Sequence, residues 1–157
     1  MQSLDAIFID LARRVGELER RLHNQSRTGV VAHVNAAEGT ARVRLLDSDP
    51  PFLTGWIPWE EPAAGANKTH NPPSVGQQVK VYSESGDLHD ASIQGSVNSN
   101  DNGRPSGQAD QYILNQVGAA SITISDGGGM MELKVGASSV TLTAGGITLN
   151  APRIDLN

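Results

Sequence analysis

The chain has 157 residues, of which 38% are hydrophobic, 18% charged and only 4% aromatic, with 17 Gly, 8 Pro and no Cys. Disulfides, thiolate metal sites and cysteine nucleophiles are excluded, and so few rings beside so much glycine argue against one large, densely packed enzyme core. The formal charge of −5 comes without a basic segment: residues 1–24 carry four charges of each sign, 25–98 five basic against eight acidic, and 99–157 three against five.

Lys and Arg neutralising phosphates supply most of the affinity for nucleic acid, so no nucleic-acid partner is expected. No apolar run approaches the roughly 20 residues of a membrane span. Met1-Gln2-Ser3-Leu4-Asp5 lacks the basic start and apolar core of a signal peptide, and a soluble chain without an export signal is expected.

Residues 1–24 read as a helix. Leu4, Phe8, Leu11, Val15, Leu18 and Leu22 are spaced four, three, four, three and four apart, which is a heptad seam. With Leu4, Leu11 and Leu18 at d and Phe8, Val15 and Leu22 at a, Arg14 falls at g and Glu19 at the next e. That geometry pairs across parallel chains. An amphipathic helix lying on its own domain or docking on a hub protein fits the same spacing, and Gly16 weakens an isolated helix by about 1 kcal/mol.

Residues 27–98 read as five short strands with turn punctuation. The segments 29–34 and 40–45 flank Asn35-Ala36-Ala37-Glu38-Gly39, a hairpin signal with glycine at the turn. A third strand is expected over 54–58, a long loop from Glu61 to Pro73, and strands four and five over 77–82 and 91–97. Five short strands without a helix fit a small closed barrel of the OB type.

Residues 99–112 are nearly devoid of apolar side chains and read as a linker. Residues 113–157 are set apart as a spike segment, in which 121–125, 131–135, 140–143, 147–150 and 154–156 alternate aliphatic and small polar residues with a period of 2, the pattern of strands with one apolar face. The apolar pairs start at Leu133, Val140, Ile147 and Ile154, seven residues apart, separated by Gly136, Gly145-Gly146 and Pro152. Such a repeat buries its apolar face only against further units, and 35 residues supply too little core for a solenoid of one chain. Three chains around one axis would supply it, with Ile122, Ile124, Met131, Leu133, Val135, Val140, Leu142, Ile147, Leu149, Ile154 and Leu156 on that axis. An antiparallel meander of one chain is the competing arrangement. The fold expected is mostly β: a short N-terminal helix, a five-stranded OB-fold barrel and a C-terminal intertwined triple-stranded β-helix formed by a homotrimer.

Gly55-Trp56-Ile57-Pro58, the Pro62-Ala63-Ala64-Gly65-Ala66 loop, the stretch Pro72-Pro73-Ser74-Val75-Gly76-Gln77-Gln78-Val79-Lys80-Val81-Tyr82, Gly86-Asp87, and Ala91 to Val97 with Gly95 together resemble the phage baseplate assembly protein V family. Its members form the central spike of contractile phage tails, pyocins and related injection systems. The resemblance implies a structural protein without enzymatic activity or cofactor, trimeric, placed at the front of the tail tube. It implies contact with tube and hub proteins at the helix and barrel end, nucleation of baseplate assembly, and transient passage through an outer membrane. It also implies assembly in the bacterial cytoplasm and release by lysis as part of a particle.

Some relatives end in a His-x-His apex that binds iron, whereas His23, His33, His70 and His89 all precede residue 90 here. No apex metal site is therefore expected, and a separate PAAR-like tip protein is. Two further readings stay open, a trimeric receptor-binding fibre tip and an OB-fold nucleic-acid binder in which Trp56 and Trp59 would stack bases.

The remaining chemistry is sparse. Asp47, Asp49, Glu60 and Glu61 read as solvated loop acids, and His70 has no ligand partner at metal-like spacing. Asp126-Gly127-Gly128-Gly129 lacks the Lys and the following helix of a phosphate loop and reads as an insertion in the strand repeat.

Overall fold

A computed structural model describes residues 3–47 and 49–155. The chain divides between Gly103 and Arg104 into two compact units.

The first unit opens with helix α1, Leu4–Asn24. Ser3 caps it, its hydroxyl accepting from the Ala6 N–H at 3.3 Å, and Asp5 lies in the first turn where the helix dipole favours an acid. Glu17 accepts from the Arg20 and Arg21 guanidiniums at 2.7–2.9 Å, and those hydrogen bonds, Arg20 first, pull its carboxyl down to about 2. No residue of α1 is buried.

Five strands follow: β1 Ser26–Asn35, β2 Thr40–Leu45, β3 Ile57–Pro58, β4 Gln78–Tyr82 and β5 Ser92–Val97. They are ordered β3-β2-β1-β4-β5, each antiparallel to its neighbour. The free edges meet where Trp59 bridges Ile93 in parallel and the Glu60 N–H donates to the Ile93 carbonyl at 2.9 Å. This contact curls the sheet into an OB-like barrel. Period-2 alternation sends Ala41, Val43 and Leu45 from β2, and Val79 and Val81 from β4, into a core completed by Val31, Ile57, Ala91 and Ile93. The expected hairpin forms with Gly39 at φ +66°, and the strand expected over 54–58 contracts to two residues. Thr54 spends its hydroxyl accepting from the Val43 N–H at 2.9 Å.

The second unit is a meander of β6 Tyr112–Val117, β7 Ala120–Ser125, β8 Met130–Val135, β9 Ser138–Thr143 and β10 Gly146–Asn150, hydrogen-bonded in that sequence. Each pair is antiparallel and within the chain. Within the chain, short turns let each strand pair with the next at low loop-closure cost, the antiparallel meander that competed with interchain winding in the sequence.

The structural repeat is eight residues, since β8, β9 and β10 begin at 130, 138 and 146. The seven-residue spacing of apolar pairs reflects the reversal of strand direction at each turn. Gly118 and Gly136, with φ near +55°, supply the left-handed turn positions between β6 and β7 and between β8 and β9. The segment expected to continue the repeat from Ile154 has no strand up to residue 155, and Leu156 lies outside the described residues.

Candidate functional site

The family-like motif turns out to be structural. The Gln77 N–H donates to the Ser74 carbonyl at 3.0 Å, closing a turn in which Gly76 holds φ +87°, the position where a type II turn requires glycine. The Gly76 N–H donates to the Val31 carbonyl at 2.9 Å, so the turn is fixed to β1 before β4 begins. Pro73 is buried, Val79 is in the core, and Val75 projects at 66% exposure.

Gly86 is buried at φ +77°, and a Cβ there would lie 2.6 Å from the Arg21 carbonyl oxygen. Only glycine lets this turn pass under the last turn of α1. The Ser83 N–H donates to the Gln25 carbonyl at 2.9 Å beside it, which roots the helix on the barrel. Gly55 and Gly95 are exposed with open space around them, and Pro58 lies opposite Thr40 at the sheet edge.

The long loop is organised by a residue that sequence reading took for a solvated acid. The Glu61 carboxylate accepts from the Asn71 N–H at 2.6 Å, Trp59 Nε1 at 2.7 Å, the Thr69 hydroxyl at 2.7 Å and Asn71 Nδ2 at 3.1 Å. These donors, the Asn71 N–H first, hold its pKa down at about 2. The His70 ring stands 6.4 Å from Trp59, a packing contact. Asp47 is likewise occupied: Arg27 donates to both its oxygens at 2.6 and 2.7 Å and lowers its pKa. Trp56 is half exposed and lines a cleft of about 480 Å³ with Phe52, Ile57, Arg20, Arg27 and His89. Among the described residues no three His, Cys, Asp or Glu side chains are grouped to hold a metal ion. No described helix is long and apolar enough to cross a membrane.

The sheet of the second unit carries the most unusual surface. Its register aligns Ile122, Leu133, Val140 and Leu149 in one cross-strand row, and Ile124, Met131, Leu142 and Ile147 in the next. Val135 faces Ala120 and Ser138 in a third row. The opposite face reads Thr123, Glu132, Thr141 and Thr148, then Ser121, Lys134, Ser139 and Asn150.

The described residues assigned to a shared axis thus fall on one side, apart from Ile154 beyond the last strand. That side is bare: Leu133 is 43% exposed, Leu149 51%, Val135 66% and Ile147 69%. No described apolar residue of this unit is buried, and its least exposed side chain is Thr123 at 6%. A trough of about 540 Å³ runs past Val117, Ile122, Leu133, Val140 and Leu149. Sequence reading missed β6, which adds exposed Tyr112, Leu114 and Val117; the signal was its own alternation, closed by Gly118.

The first unit is thus an OB-like barrel and the second a sheet whose apolar face is exposed among the described residues. Residues 27–97 match the family described as the type VI secretion system/phage-baseplate injector OB domain. The chain is also similar to the spike protein of Escherichia phage P2, 34% identical over 96 residues. That alignment takes in 61% of this chain and 44% of the relative, less than half its length. The likeness to the phage-baseplate injector OB domain thus lies in the OB barrel, over residues 27–97.

Proposed function

We propose that this protein is the central spike of a contractile-tail baseplate, acting as a homotrimer that leads the tail tube into the target envelope. The reading rests above all on one observation: a barrel that matches the injector OB domain is joined to a sheet whose Ile, Leu and Val face has no cover among the described residues. Burying such a face contributes about 25 cal/mol per Å², and three copies facing one axis bury it symmetrically without exposing new edges. The OB barrel and helix end meet the tube and hub. The sheet end meets the membrane, and its role is mechanical: a narrow prism with a packed axis resists buckling when the sheath contracts.

A trimeric receptor-binding fibre tip shares the oligomeric state and separates from the spike by saturable attachment of the free trimer to whole cells. An OB-type nucleic-acid role is disfavoured by the side chains themselves. The two arginines that share the cleft with Trp56 are already ion-paired, Arg27 with Asp47 and Arg20 with Glu17.

Native mass spectrometry tests the reading. The expected mass is three times the 16.6 kDa chain, and Leu149→Asp, which sets three carboxylates on the axis, should dissociate it. A wild-type chain that stays monomeric at micromolar concentration overturns it.

A further inference from the structure

We propose that α1 forms a parallel coiled coil with α1 of the other copies, a clamp that fixes the chains in register ahead of the barrels; the inference rests on the three-chain reading above. The helix is about 31 Å long at 1.5 Å per residue, and its seam is open along that whole length. Leu4, Phe8, Leu18 and Leu22 are each more than 60% exposed, and Leu11 and Val15 at least 44%. The root at Gln25 and Gly86 attaches only the last turn to the barrel, so the barrel does not cover the seam.

The charges identify the occupant. Glu17 satisfies Arg20 and Arg21 within the helix. Arg14 and Glu19 make no ion pair or hydrogen bond within the described residues, although Asp10 stands one turn before Arg14. These two hold the g and following e positions, which meet between parallel chains. The antiparallel alignment of the same seam sets Arg14 near its own copy and Asp5 near Glu19, like charge against like. Gly16 falls at b, away from the seam, where a missing side chain leaves no hole in the interface.

The identities at a, which are Phe8, Val15 and Leu22, do not by themselves select a chain number. That number comes from the sheet, and the helix contributes direction and register. With three starts held level, the sheets begin to close at the same height.

The chain has no cysteine of its own, so a single introduced one reports cleanly. In full-length protein, Leu18→Cys under mild oxidation should give a disulfide-linked pair of chains on a denaturing gel, two of each three. Arg14→Glu or Glu19→Arg alone should slow recovery of the trimer from denaturant about tenfold, and the double exchange should restore it. All these positions are exposed and outside the barrel core, so folding of the barrel is not at stake. Three results overturn the clamp and leave the spike reading standing: a Leu18→Cys trimer that forms no link, a mixture of Leu18→Cys and Phe8→Cys chains that links one variant to the other, or single charge variants that refold at the wild-type rate. A monomeric wild type overturns both.

Discussion

At the scale of single residues, two positions govern the barrel surface, one through backbone geometry and one through a carboxylate. Gly86 sits at φ +77° with the Arg21 backbone where a Cβ would be. A left-handed conformation costs an alanine about 1–2 kcal/mol, and the contact adds to that. Gly39 has a similar φ of +66° but open space around it. Gly86→Ala should therefore lower stability by about 2 kcal/mol or more and Gly39→Ala by about 1, read from urea midpoints at constant m-value. Equal losses would mean that the helix end yields freely.

Glu61 acts through charge. Its carboxyl is held at about 2 against an ordinary 4.5, so its ionised form is favoured by the folded loop. A depressed folded pKa stabilises above the unfolded value and loses that contribution as pH falls through the folded one. Protection of the Asn71 N–H against exchange, measured relative to core amides, should hold down to about pH 4.5, decline below it and vanish near pH 2. Glu61→Gln should remove that dependence. This organisation was not legible in the sequence, because donors at 59, 69 and 71 reach one acid only after the loop has folded back on itself.

At the scale of elements, periodicity carried most of the information. The hairpin of β1 and β2, the entry to β4 and the helix over 4–24 follow from local spacing and glycine placement, and each forms. Gly76 and Gly86 were legible as motif members, while their reasons, a type II turn and a helix contact, needed the partners in space. The repeat was legible as strands with one apolar face. Its eight-residue unit was not, and its pairing within the chain was only one of two arrangements the sequence allowed, because apolar spacing records side-chain faces and says nothing of which backbone answers which. The strand β6 was hidden by the polar run before it.

The helix gives this scale its own test. Gly16 is exposed and a Cβ there meets nothing within 4 Å. Gly16→Ala should stabilise α1 by about 1 kcal/mol per chain and raise the melting temperature wherever α1 melts with the rest. An unchanged melting temperature would place α1 outside the cooperative unit.

At the scale of the whole molecule, the two units stand on different physics. The barrel holds its own core, nine buried apolar residues among those described. The sheet buries none among its described residues, although each of its strands is hydrogen-bonded to its neighbour. On the three-chain reading proposed above the sheet is stabilised by association, and its stability should follow protein concentration where the barrel's does not.

Leu142→Asp separates the two. Leu142 faces Met131 and Ile147 in the second apolar row and is no member of the barrel core. A carboxylate there must either stay in water, which blocks association, or be buried unpaired at a cost of several kcal/mol per chain. Hydrogen exchange on the full-length variant should then show amides of β7 to β10 losing protection by orders of magnitude, while Val31, Val43, Val79 and Val81 keep theirs. Diluting the wild type below its association range should produce the same pattern. Loss of protection across both units together would mean that barrel and sheet fold as one cooperative body, and that the uncovered face is not what limits the sheet.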